Sequence, residues 1–307
     1  MLKVTGLKKS YGSNHVLKGI NLDIPKGCFY SLLGPNGAGK STTLNCIAQL
    51  LHPNEGEIII NSVNTKINSV GAKSIIGVVP QEIALYEELS AWENLVFWGR
   101  LNKVNRNDIN QRGKSILEKF GLYDRKDEKI KTYSGGMKRR INIAAALLHN
   151  PLLILMDEPT VGIDPQSRNN IYEFIELLKS EGKTILYTTH YMEEAQRFSD
   201  KIGILDDGKI IAEGTFDEIR EQTKIASQLI IEFEGNIENL KNKLSNYHSK
   251  INISESRIVV ETNDARTDLK NMVTFLNESS VDIHHIEKKQ ADLETIFLHL
   301  TGKQLRD

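Results

Sequence analysis

Apolar residues near the N-terminus recur every second or third position, at Leu17, Ile20, Leu22 and Ile24, and stop at Pro25-Lys-Gly27. That rhythm predicts strands closed by a turn. Residues 28–33 form a short apolar strand, and residues 42–51 read as a helix. A turn at 53–56 precedes strands at 57–60 and 75–79. From Ser90 to about Asn150 the spacing turns helical, and Ser90-Ala-Trp-Glu93 has the form of a capping box. Residues 152–156 and 184–189 read as strands buried on both faces. Asp164-Pro165 predicts an N-cap followed by proline at the first helical position, with the helix running to about Ser180. Residues 202–205 and 209–212 flank Asp206-Asp-Gly208, a hairpin signal. Thr215-Phe-Asp-Glu218 is a second capping-box sequence, opening a short helix.

The texture then changes. Residues 221–307 predict strand 228–234, helix 236–246, strands near 251–261, helix 265–278, strand 281–287 and a final helix from Asp292. On that last helix Leu293, Ile296, Phe297 and Leu300 form one apolar stripe. The chain is therefore expected to be an α/β domain over 1–220, with helices inserted at about 82–150, followed by a small α+β domain of split βαβ type over 221–307.

Composition narrows the role mainly by exclusion. With 39 basic and 40 acidic residues the charge is balanced, so nothing points to general binding of nucleic acid or of a membrane surface. The two cysteines, Cys28 and Cys46, have no metal-type spacing and imply no disulfide framework, which suits a reducing cytosol. The N-terminus lacks a signal-peptide pattern, and no apolar run approaches the roughly 18 residues of a membrane span. Any membrane role is expected to need another chain to cross the bilayer.

Three local patterns carry chemistry. Gly34, Pro35, Asn36, Gly37, Ala38, Gly39, Lys40 and Ser41 fit G-x-x-x-x-G-K-[ST] between a strand and the helix that contains Thr42. Glycines let backbone N–H groups approach a phosphate, and the helix start adds its positive dipole end. Lys40 is then placed for the β- and γ-phosphates and the Ser41 hydroxyl for Mg²⁺. Asp157 and Glu158 end an apolar strand, Asp157 as a metal-holding carboxylate and Glu158 as the group that polarises an attacking water. Ser134, Gly135 and Gly136 precede a helix and form a second anion cradle, or else an N-cap and a turn.

Together these motifs resemble the nucleotide-binding subunit of an ABC transporter over roughly residues 1–220. The likeness rests on G-P-N-G-A-G-K-S at 34–41, V-P-Q at 79–81, Y-S-G-G-M at 133–137, L-I-L-M-D-E-P at 153–159, V-G-I-D at 161–164 and T-T-H at 188–190. Tyr133 and Met137 depart from the family's L-S-G-G-Q. The resemblance implies that Tyr11 stacks on adenine and that Gln81 senses Mg²⁺ and the γ-phosphate. It implies that Asp164 reaches across a dimer and that His190 contacts the γ-phosphate. It further implies ATP and Mg²⁺ as cofactors, a second copy of the subunit or a paired homologous half, transmembrane permease chains, and a place at the cytoplasmic face of the membrane. Residues 288–302 resemble the end of exporter ATPases. An importer ATPase and a non-transport ABC ATPase stay open as alternatives.

Overall fold

The structure, a computed structural model, describes residues 1–235, 244, 250–254, 256–262, 264–277 and 281–302. The N-terminal alternation becomes an antiparallel pair, β1 (Leu2–Tyr11) and β2 (Asn14–Ile24). With β4 (Glu55–Ile60) and the two-residue β5 (Val63–Asn64) they form a sheet in the order β2-β1-β4-β5. β4 starts ahead of its expected position, inside the predicted turn. It continues through Gly56, whose φ is 99° and where a Cβ would lie 2.7 Å from the Gly6 oxygen. Only glycine fits where β4 crosses the irregular register of β1.

The unbroken apolar runs become the second sheet. β3 (Phe29–Leu33), β6 (Ile76–Val79), β7 (Leu153–Asp157) and β8 (Thr184–Thr189) join β9 (Lys201–Asp206) and β10 (Lys209–Gly214). The order is β10-β9-β3-β8-β7-β6, parallel except for the β9–β10 hairpin. Every residue of β3, β7 and β8 is buried. Successive residues face opposite cores: Ile154, Met156, Ile185 and Tyr187 one, Leu155 and Leu186 the other.

α1 (Lys40–Ile47) follows β3 and is shorter than expected, because Gln49 takes φ 60° and the chain leaves the helix. After α2 (Ser69–Lys73) and β6 come α3 (Ala91–Leu101), α4 (Arg106–Lys119) and α5 (Gly135–Leu147). The capping box at α3 forms in both directions: Ser90 accepts the Glu93 N–H and Glu93 accepts the Ser90 N–H. α6 (Pro165–Ser180) follows β7, α7 (Met192–Phe198) follows β8, and α8 (Phe216–Thr223) follows β10.

The chain divides into two compact units, Met1–Phe216 and Asp217–Gln304. The second holds β11 (Ser227–Glu234), β12 (Ile251–Ile253), β13 (Arg257–Thr262), α9 (Ala265–Asn277), β14 (Asp282–Lys289) and α10 (Leu293–Thr301). Its antiparallel order β12-β13-β11-β14 puts β13 and β14 on either side of β11, joined through α9, which is a split βαβ. Leu229, Ile231, Phe233, Ile258, Val260, Met272 and Leu276 make its core. Leu293, Ile296 and Phe297 of the α10 stripe are buried, and Leu300 is half-buried. The helix expected over 236–246 lies outside the described residues, Leu244 excepted.

Candidate nucleotide site

The turn between β3 and α1 is steric in origin. A Cβ on Gly34 would meet the Leu205 oxygen at 2.3 Å, and one on Gly39 would meet Leu17 Cδ2 at 2.7 Å. Gly37 and Gly39 take φ of 83° and 108°. Backbone bonds brace the loop from the β9–β10 hairpin: the Gly208 N–H donates to the Ala38 oxygen at 3.2 Å, and the Lys18 N–H donates to the Gly208 oxygen at 2.9 Å. Gly39 is the N-cap of α1 and supplies no side-chain cap, so the first-turn N–H groups are presented to whatever enters.

Lys40 is almost fully buried. Its ammonium donates to the Gly34 oxygen at 2.8 Å and the Pro35 oxygen at 3.2 Å, and lies 2.9 Å from Glu158 Oε1. The other Glu158 oxygen is 3.2 Å from His190 Nδ1, close enough for an ion pair but not aligned as a hydrogen bond. Glu158 sits at φ 43°, a strained conformation for a non-glycine residue, and its N–H donates to Thr188. The β7–β8 register sets Asp157 beside Thr188, whose hydroxyl donates to Asp157 Oδ1 at 2.6 Å. Strand pairing thus fixes both carboxylates.

One pocket gathers Asn36, Gly37, Gly39, Lys40, Ser41, Thr42, Gln81, Glu158 and His190, and adds Asn14, Val16, Val161 and Tyr191. Sequence reasoning gave these last four no role at the site, although Val161 opens V-G-I-D, Tyr191 adjoins His190 and Asn14 adjoins the loop after Tyr11. Tyr11 itself is half-exposed beside Lys9 and does not line the pocket, nor do Gly34, Pro35, Ala38 and Asp157. Gln81 is held through its backbone: buried Arg139 of α5 donates to the Pro80 oxygen at 2.7 Å and to the Gln81 oxygen.

A second cluster lies outside that pocket. Ser134 Oγ caps α5 by accepting the Met137 N–H at 3.3 Å, and Asp164 caps α6 by accepting the Ser167 N–H at 2.9 Å. The Ser167 N–H and hydroxyl hold the Asp164 carboxyl below the usual range. The two helix starts touch: a Cβ on Gly136 would be 2.1 Å from Ser167 Oγ and 3.4 Å from Asp164 Oδ2. Gly135 sits exposed at the start of α5. Tyr133 and Met137, the two departures from L-S-G-G-Q, are buried and share a partner. The Tyr133 hydroxyl donates to the Arg125 oxygen at 2.7 Å, and the Arg125 guanidinium donates to Met137 Sδ at 3.5 Å.

A phosphate loop leading from a buried parallel sheet, with a Lys–Glu–His set at its pocket, defines a P-loop ATPase. The ABC transporter family model matches residues 17–161. The linearmycin resistance ATP-binding protein LnrL of Bacillus subtilis (strain 168) is 41% identical, with all of both chains covered. The Nod factor export ATP-binding protein I of Rhizobium sp. (strain N33) is 35% identical over 99% of this chain and 98% of its own. Among solved structures, a dimeric bacterial ABC transporter cassette, MJ0796, is 33% identical over 70% of this chain and 98% of its own, with a TM-score of 0.64. The same cassette in a post-hydrolysis state bound to ADP and Pi gives a TM-score of 0.62. The chain belongs to the ABC transporter family as an ATP-binding subunit, and it is an ATPase. Among the described residues, no helix is long and apolar enough to cross a membrane.

Proposed function

We propose that two copies of this chain close face to face on two ATP molecules and drive separate permease chains, held at the cytoplasmic face of a membrane, to export a compound. The observation that carries the reading is the buried set Lys40, Glu158 and His190 at one phosphate loop. Lys40 neutralises phosphate charge and the α1 N–H groups bind the phosphate oxygens. In exchanging Glu158 for phosphate, Lys40 releases that carboxylate to polarise the attacking water, which His190 helps to orient. Ser134, Gly135, Gly136 and Asp164 complete the pocket of the other copy, while Tyr11 stacks on adenine.

The donor set suits Mg²⁺. Hydroxyl, carboxylate and amide oxygens of Ser41, Asp157 and Gln81 are hard ligands, and the described residues hold no cluster of three or more His, Cys, Asp or Glu that would make a closed cage. Ser41, Asp157 and Gln81 would hold the ion, which when bound offsets phosphate charge.

An apolar groove lined by Leu50, Ile76, Val78, Ala84, Trp98 and Leu101 suits a permease segment. Trp98, Asn142 and His149 bring polar side chains to its lining. Resistance and export, the roles in the relatives' names, support an exporter. The unit from Asp217 onward is read as an accessory dimerisation domain.

Glu158→Gln tests the chemistry. ATP binding persists, and hydrolysis falls by about a hundredfold or more. Near-normal turnover in that variant would remove Glu158 from the role of base.

A further inference from the structure

Glu194, in the first turn of α7, is 1% exposed. Its carboxylate accepts hydroxyl protons from both sides. Thr160 at 2.5 Å and Tyr172 at 2.7 Å donate to Oε1, while Thr189 at 2.6 Å and Tyr187 at 2.9 Å donate to Oε2. An ionised carboxylate accepts and does not donate, so donors on both oxygens match its capacity. A buried charge is costly unless so satisfied.

The donors are arranged around the chemistry. Thr160 is two residues past Glu158, and Thr189 directly precedes His190. Thr189 Oγ1 also accepts the Tyr191 N–H at 2.9 Å, which pins the turn that carries His190. Tyr172 and Tyr187 come from α6 and β8, so one carboxylate ties four segments together. Burial and the Glu194 charge together push the Tyr187 hydroxyl well above its ordinary pKa and keep it a donor.

We infer that Glu194 is a positioning residue for ATP hydrolysis, fixing the turn after Glu158 against the turn that bears His190. This rests on the catalytic reading of Glu158 and His190. Glu194 does not line the nucleotide pocket. It acts by holding Glu158 and His190 at their 3.2 Å separation. Gln at this position has the same shape but accepts through only one oxygen, so its amide faces hydroxyls that must turn away.

The test is steady-state ATP hydrolysis by the full-length chain as Glu194→Gln, Thr160→Val and Thr160→Ser, with thermal melting alongside. Glu194→Gln and Thr160→Val lower kcat about ten- to a hundredfold with KM for ATP unchanged, the scale expected for a misplaced catalytic group. Thr160→Ser, which keeps the donor, restores most of kcat. If Glu194→Gln does not fold, the two Thr160 variants decide. Equal rates for the Val and Ser variants, or a loss confined to KM, overturn the inference. Glu158→Gln measured in parallel separates the readings: full activity there defeats the catalytic assignment, while its loss beside an unaffected Thr160→Val defeats only the role of Glu194.

Discussion

Two helix starts in this chain offer backbone N–H groups, and they are finished differently. At α1 the cap is Gly39, which has no side chain to satisfy the first turn, and buried Lys40 adds a positive charge neutralised by Glu158. At α5 the cap is Ser134, which already accepts the Met137 N–H, and neither it nor Gly135 is buried. The first is a preorganised charged pocket. The second is a stable surface end that needs nothing from its own chain. The difference teaches that a sequence motif for anion contact does not say where the anion sits. One end is a buried, charged pocket within its own chain, and the other is an exposed helix start that caps itself.

The sharpest break in that comparison is Lys40→Ala. It removes the charge that answers phosphate and leaves Glu158 buried without its cation. ATP binding is lost in a direct titration, and stability drops by about 3–5 kcal/mol in denaturant melts. Tight MgATP binding by this variant would show that the charge of the α1 pocket is dispensable. Next in size is a mixture of Lys40→Ala chains with Ser134→Arg chains. Each mixed dimer carries one site with both lesions and one with both ends intact, so some ATP binding reappears at the intact shared site. A demonstrated mixed dimer without recovery would place the Ser134 end outside the site. Smaller still is the effect of ending the chain near Arg220. Such a chain binds ATP but hydrolyses it poorly when dilute and regains rate as concentration rises, because the two ends no longer share a high effective concentration. Equal specific activity at every concentration would show that the second unit plays no part in pairing.

Much of this was legible in the residues. The apolar run at β3 reads as a strand and those at β7 and β8 as buried strands, and all three form; Gly34–Ser41 states its own backbone demands. Asp164-Pro165 and Ser90–Glu93 announce caps that form as written. Relations that depend on three-dimensional closure were not legible. Nothing local says that Lys40 meets Glu158, that Glu158 adopts φ 43°, or that Glu194 collects four hydroxyls from three segments. The early end of α1 was missed because Gln49 carries no breaker signal, unlike a glycine or proline. Met137 reads only as a departure from a motif until Arg125 is found against its sulfur.

The hairpin that braces the phosphate loop has a consequence for how the chain is made. β3 takes its hydrogen-bonded neighbours from β8 and β9, and the Ala38 oxygen takes its proton from Gly208. These partners lie far downstream, so the loop is translated early and finished late. Closing contacts of such long sequence separation is slow compared with local helix formation. A nascent chain arrested before Lys201 carries every residue of the Gly34–Ser41 motif but lacks the β9 neighbour of β3 and the Gly208 bond to Ala38. The last braces of the phosphate loop therefore arrive late, when β9 and β10 close that side of the sheet.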